Sequence, residues 1–291
     1  MTLSQRLRSL FGGSGSTATP PTFSATDWPG TAPSPWVADA GKGVHACNIC
    51  RWTGDEFVGG FHSEAAQCPQ CGSIARDRFL FWCFVQGSQP SLGVRLLETS
   101  PRMGSDYRRA MAQWFAYLCS DYDESAHKGA AHIDLQQIDR PDSSFDIILT
   151  PHVLEHVPLA TDALAEIHRV LSPGGRMYLQ VPVLQGRTAP PSEPEFHGDN
   201  TPVFWRFGFD LTEQLRATGF TTRLLCTQQW LDLVQSGAQE WPAGTAGEFD
   251  VRSMLAGVIP ADLDVIADAA AANRYGFLPS YMFLTWECIK R

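Results

Sequence analysis

The chain has 291 residues, 44% of them hydrophobic, enough for one large core plus a small appended module. Its 31 acidic and 22 basic side chains leave a formal net charge of −9, against the broad Lys/Arg footprint that draws proteins to nucleic acid. No apolar run reaches the roughly 20 residues a membrane span needs, and there is no signal-peptide h-region, so a cytoplasmic protein without a membrane span is expected.

Residues 1–40 read as a disordered tail. From Gly12 to Ala40 the chain is mostly Gly, Ser, Thr, Ala and Pro with no periodic apolar face, too little to offset the entropy of ordering. Leu3, Leu7, Leu10 and Phe11 beside Arg6 and Arg8 fit either a short membrane- or partner-binding helix or a frayed terminus.

Residues 41–73 carry Cys47-x-x-Cys50 and Cys68-x-x-Cys71, the spacing of a zinc ribbon. Each turn aims two thiolates at one point, and two turns complete a closed tetrahedral site for a structural Zn²⁺. Such a metal supplies folding free energy to a segment without its own core. Two disulfides are the alternative, at odds with a cytoplasmic address. Cys83, Cys119, Cys226 and Cys288 lie in apolar contexts and read as small core residues. Residues 74–90 form a connecting helix, nearly apolar all round over Ile74–Gln86. Its Arg76 and Arg78 point either into a substrate cleft or along a solvated or ion-paired face.

From residue 91 onward the pattern alternates strand and helix. Val94–Leu97 reads as a strand leading into Glu98-Thr99-Ser100-Pro101-Arg102-Met103-Gly104, and Phe115–Ser120 as a second strand ending at Asp121. Two further apolar runs, Phe145–Thr150 and Arg176–Val183, are short and flanked by breakers, as parallel strands buried on both faces are. Between them Ala163, Leu164, Ile167, Val170 and Leu171 make one helical stripe, which Pro173-Gly174-Gly175 is expected to stop. Leu211–Ala217 follows as a helix, Thr222–Thr227 as a strand and Tyr281–Ile289 as the last strand. An insertion at about 231–276, including a helical Leu263–Ala272 pattern, is too long for a turn and is expected to form a lid or oligomer contact.

The words FDIILTPHVLEHV and EIHRVLSPGGRMYLQVPV closely resemble the fourth and fifth strand segments of class I S-adenosylmethionine-dependent methyltransferases, the type 11-like domain. CPQCGSIARDRFLFW likewise resembles bacterial proteins in which a zinc ribbon precedes a methyltransferase domain. The resemblance implies a Rossmann-like seven-stranded sheet of order 3-2-1-4-5-7-6 over residues 91–291, with S-adenosylmethionine as cofactor. It places Glu98, Ser100 and Gly104 on the family's E-x-G-x-G-x-G turn, with Ser100 and Arg102 at two of the glycine positions. Those glycines let backbone approach the cofactor, so a differently shaped turn is expected, with Arg102 directed outward. Asp121, 23 residues beyond Glu98, falls at the ribose acid. Asp134 and Leu135 fall at the adenine contacts, with Asp123 and Asp139 as nearby rivals and a solvated loop acid as the alternative for each, and Thr150 falls at the end of the fourth strand.

Methyl transfer from a sulfonium needs alignment and dryness more than acid–base chemistry, but a hydroxyl acceptor must lose a proton. His152 and His156, one turn apart after the fourth strand, are the candidate bases; a hydrogen-bonded structural role is the alternative for each. The loop 190–208 supplies candidate acceptor contacts in His197, Asp199, Trp205 and Arg206, within HGDNTPVFWRFGFDL, a word similar to one found at this place in glycan- and small-molecule-modifying members. Its aromatics either stack on a sugar or brace the loop. The leading expectation is a methyltransferase for a small-molecule or saccharide acceptor, at oxygen. An RNA methyltransferase gripping its substrate through the ribbon, and a non-catalytic scaffold of the same fold, are the alternatives.

Overall fold

The computed structural model describes residues 43–59, 66–123, 130–197, 200–238, 240, 251–277 and 284–291. The expected tail, Asp199 and the first part of the expected last strand lie outside them. In chain order the elements are β1 (His45–Ala46), β2 (Thr53–Gly54), α1 (Ala75–Ser88), β3 (Arg95–Thr99), α2 (Ser105–Trp114), β4 (Ala116–Asp121), β5 (Ala131–His132), β6 (Phe145–Pro151), α3 (Ala160–Val170) and β7 (Leu171–Gln180). They continue with β8 (Glu195–Phe196), β9 (Pro202–Val203), α4 (Leu211–Ala217), β10 (Phe220–Thr227), α5 (Gln228–Gln235), α6 (Val251–Leu255), β11 (Leu263–Ala267), α7 (Ala269–Tyr275) and β12 (Thr285–Lys290).

Eight strands form the main sheet in the order β11-β10-β12-β7-β6-β3-β4-β5. β12 runs antiparallel to both its neighbours, and every other pairing is parallel. Leu96, Leu97, Ile148, Leu149, Met177 and Leu179 are almost wholly buried, because helices cover both faces of the central strands. α3 presents Ala163, Leu164, Ile167 and Val170 to the sheet, one side of a 3.6-residue repeat. It ends at Val170, and the chain passes directly into β7. Pro173-Gly174-Gly175 therefore lies inside the strand, where Gly174 takes a positive φ and the pairing with β6 shifts register.

α1 buries most of its surface, including Phe79, Phe81, Cys83, Phe84 and Val85. It packs tightly on the sheet at Gly87, where a Cβ would stand 2.6 Å from Tyr178 Oη and 2.7 Å from Glu287 Oε1. Arg176, Glu287, Arg223 and Asp264 form a charged rung across β7, β12, β10 and β11, with Glu287 fully buried.

The described part of the insertion corrects one expectation. Leu263–Ala267 is a strand, not a helix: β11 extends the sheet parallel to β10, where Leu263 and Val265 pair with Leu224 and Cys226. The segment also packs against α1 and the β1 region. Ile266 O accepts from Trp82 Nε1 at 3.0 Å, Asn273 O pairs with His45 Nδ1 at 2.9 Å, and Tyr275 and Phe277 pack on Trp82. Among the described residues no helix is long and apolar enough to cross a membrane. Cys83, Cys226 and Cys288 are core residues as read, while Cys119 is half-buried beside Arg108.

Candidate active site and cysteine centre

Register fixes the carboxyl rim of the sheet. Leu96, Leu97 and Glu98 of β3 pair with Ile147, Ile148 and Leu149 of β6, and Thr99 pairs with Ser120 of β4. The ends of these strands, Ser100, Asp121 and Thr150 to His152, therefore share one edge, at the point where strand order reverses and α/β sheets open a ligand crevice. Thr99 Oγ1 and Thr150 Oγ1 are buried there without hydrogen-bond partners among the described residues. Unpaired buried hydroxyls are costly, so this edge offers two polar groups suited to a bound ligand.

The turn after β3 carries Ser100 and Arg102 at two of the expected glycine positions. Ser100 adopts φ 41° and donates its amide to Ser120 O at 2.7 Å, and Gly104 caps α2. Arg102 turns toward the ribbon, where it ion-pairs with Asp77 and donates Nη2 to Gly72 O at 3.0 Å. A cavity of about 260 Å³ lies against this turn, lined by Arg76, Asp77, Ser100, Arg102, Pro151 and His152.

The family-placed acids do not share that hollow. Glu98 is buried and accepts from Tyr117 Oη at 2.8 Å and Tyr107 Oη at 3.3 Å. Burial raises its pKa to about 7, against the lowering effect of the two phenols. Asp121 accepts from the amide of Asp123 at 3.1 Å. Asp134 lines a separate cavity of about 960 Å³ beyond β5, with Oδ1 accepting from Gln136 N at 2.9 Å, while Leu135 is in the core.

On the other side of the rim, His152 has φ 51° and donates its amide to Gln180 O at 2.8 Å. Its Nδ1 stands 3.6 Å from Glu155 Oε1, and His156 Nε2 stands 3.9 Å from the same oxygen. Glu155 is the residue sequence reasoning passed over. It is 1% exposed, neither carboxylate oxygen has a hydrogen-bond partner among the described residues, and burial raises its pKa. Its place between the two candidate bases is the only sequence signal for it.

The loop 190–208 closes over this turn. His156 Nδ1 lies 2.7 Å from Pro202 O, and its ring meets that of His197 edge-on at 4.6 Å. Trp205 is a brace: its amide donates to Glu155 O and its Nε1 to Val157 O and Pro158 O, both at 3.1 Å. Arg206 is held by Glu195 at 2.7 Å, Phe207 is buried, and Phe204 is partly exposed.

The four ribbon cysteines converge. All their sulfurs lie within 4.8 Å of one another, with Cys47–Cys71 at 3.7 Å and Cys50–Cys68 at 3.6 Å. Sulfurs at tetrahedral corners with bonds of about 2.3 Å stand about 3.8 Å apart, so the set matches a four-thiolate metal centre. The same distances are far beyond a disulfide bond of about 2.05 Å. Each knuckle places a left-handed residue just after its second cysteine, Arg51 and Gly72. Ser73 Oγ lies 3.3 Å from Cys47 Sγ and 3.2 Å from Cys71 Sγ, a second layer around the sulfurs. Hydrogen bonds from Cys47 and Cys50 bring the Cys68 thiol down to about 7.

Residues 100–179 match the family described as a methyltransferase domain, which supports an S-adenosylmethionine-dependent methyltransferase. No curated protein matches the chain. Among solved structures, the chain is similar to the 1,6-didemethyltoxoflavin-N1-methyltransferase of Burkholderia thailandensis, at 14% identity and TM-score 0.42, covering 74% of this chain and 77% of that one. The YcgJ protein of a Bacillus gives 14% identity and TM-score 0.42 over 74% and 99% of the two chains. An S-adenosylmethionine-dependent methyltransferase from Mesorhizobium loti gives 15% and 0.40 over 72% and 98%.

Proposed function

We propose that this chain transfers a methyl group from S-adenosylmethionine to a hydroxyl of a small-molecule or saccharide acceptor. One observation carries most of the reading: the Ser100–Gly104 turn, the orphaned Thr99 and Thr150 hydroxyls and a cavity reaching His152 all stand at the crevice between β3 and β6. In this reading Ser100, Gly104, Asp121 and Thr150 stand at the cofactor rim, while Glu98, Asp134 and Leu135, which the resemblance also assigns to the cofactor, do not line the hollow at that rim. His197, Trp205 and Arg206 belong to the acceptor side, together with Asp199, which lies outside the described residues.

S-adenosylmethionine, when bound, supplies an electrophilic methyl on a sulfonium, which leaves the protein to align the acceptor, exclude water and remove one proton. His152 lines the cavity and is the proposed base. With Nδ1 turned toward Glu155, the hydroxyl proton is taken at Nε2, and the buried Glu155 carboxylate favours the imidazolium that results. His156, tied to Pro202 O and His197, holds the acceptor loop against the same turn. Cys47, Cys50, Cys68 and Cys71 hold a structural Zn²⁺ with no open position for substrate.

Titration calorimetry with S-adenosylhomocysteine tests the cofactor reading: saturable binding at one site per chain is expected. No heat and no thermal shift would leave a non-catalytic scaffold. A screen of hydroxyl acceptors with methyl-labelled cofactor tests the acceptor class, and in it His152→Ala should lose about a hundredfold in turnover or more.

A further inference from the structure

We infer that Arg102 is a positioning residue through which the cysteine centre sets the shape of the cofactor turn, so that metal occupancy and cofactor affinity are linked. The inference rests on the cofactor reading above and concerns a turn that lacks two of the glycines of the motif it resembles.

A glycine reaches a positive φ without strain; Ser100 holds φ 41° with a side chain, a conformation that persists only where its surroundings hold it. The two ends of the turn are tied locally, by Ser100 N to Ser120 O at 2.7 Å and by Arg108 N to Gly104 O at 3.2 Å. The middle is tied at long range. Arg102 Nε donates to both Asp77 oxygens, at 3.2 and 3.1 Å, and Nη2 donates to Asp77 and to Gly72 O.

Both anchors are themselves fixed. Asp77 Oδ2 accepts from Ile74 N at 2.9 Å at the start of α1. Gly72, at φ 74°, follows Cys71 and donates its amide to Cys68 O at 2.9 Å, so its carbonyl points where the second cysteine knuckle aims it. A guanidinium fork suits this task, because it presents several donors in one rigid plane to a carboxylate and a carbonyl at once. Without metal the knuckle loses what holds it, Gly72 O loses its fixed position, and Arg102 retains only Asp77. Ser100, Arg102 and Asp77 also wall the cavity that reaches His152, so a change in the turn is felt at the transfer site.

The test compares full-length wild type, Arg102→Gln and Arg102→Lys for zinc content, S-adenosylhomocysteine affinity and hydrogen exchange at the Ser100 amide. Arg102→Gln should keep one zinc per chain, bind S-adenosylhomocysteine about tenfold more weakly and exchange Ser100 faster. Arg102→Lys should recover part of both losses. Chelating zinc from the wild type should reproduce both effects, and chelation in Arg102→Gln should add little, because the two perturbations break one connection. Wild-type affinity and exchange in Arg102→Gln overturn the inference, as do losses that multiply fully. A wild type that binds no S-adenosylhomocysteine counts against the cofactor reading alone, and exchange at Ser100 still decides the restraint.

Discussion

The guanidinium carbon of Arg78 lies 4.0 Å from the centre of the Phe57 ring, and the side chain is fully buried within the field of Cys47, Cys68 and Cys71. Its Nε donates to Tyr275 O at 2.7 Å and its Nη1 to Ser73 O at 2.6 Å. Burial pushes its pKa down, while negative charge on Cys47, Asp77, Cys68 and Cys71 acts the other way. A divalent ion among four thiolates keeps surplus negative charge, and a buried cation is tolerable only with such a counter-charge. One arginine thus joins ribbon, connecting helix and the end of α7.

Replacing it by a side chain of similar length without charge should unbalance both partners. Arg78→Met is expected to lower stability by about 3 kcal/mol and to weaken zinc retention against a competing chelator. Arg78→Lys should not rescue, because one ammonium cannot serve two carbonyls and stack on Phe57 together. Wild-type zinc retention in Arg78→Met would contradict the charge-balance argument.

The cysteine centre gives a second expectation. Purified protein should carry one zinc per chain, and Cys68→Ser should lose it together with the ribbon's protection from proteolysis around residues 43–59. The main sheet, with its own core, should survive that loss as a separate unfolding transition at higher temperature. Metal-free protein with an ordered ribbon would defeat the assignment.

Sequence showed where the centre is and not what surrounds it, and the division has a physical cause. Two C-x-x-C words and short apolar runs are local signals, readable because thiolate geometry and strand burial act over a few residues. Arg78 reads as a residue of a solvated or ion-paired helix face, since the cysteines that counter its charge come from 7 to 31 positions earlier and one of its acceptors from Tyr275. β11 looked helical because Leu263, Ile266 and Ala267 fit a three-to-four spacing as well as a strand, and only pairing with β10 decides between them. Glu98 reads as the start of the turn but falls inside β3, and the phenols that enclose it come from α2 and β4, which no spacing rule reaches.

Glu287 supports a stability prediction on the far side of the sheet. Its carboxylate accepts from Arg176 Nη1 at 2.6 Å, from Tyr178 Oη at 2.8 Å and from Arg223 Nε. Burial alone would raise its pKa, but bonds from Arg223, Tyr178 and Arg176 bring it below the usual carboxylate value. Glu287→Gln leaves two guanidinium groups facing a neutral amide, and should cost about 3 kcal/mol, the low end for broken buried pairs because both arginines keep some contact with water. Urea unfolding measures this directly, and a midpoint equal to wild type would place the charge balance elsewhere.

Glu98 titrates in the opposite sense, which gives the two carboxylates distinct pH signatures. Burial lifts its pKa from 4.5 to about 7, so between those values the folded chain holds a proton that the unfolded chain releases. Its contribution to stability is complete below pH 4.5 and is lost as pH rises through about 7. The loss amounts to roughly 3 kcal/mol, at 1.36 kcal/mol per unit. Glu287 contributes at neutral pH and loses its share only in acid. Unfolding free energies of wild type and Glu98→Gln should therefore diverge between pH 5 and pH 8, the variant gaining relative to wild type at the alkaline end, where it has no proton to lose. Parallel profiles across that range would mean that Glu98 is ionised throughout, its charge carried by the hydroxyls of Tyr107 and Tyr117.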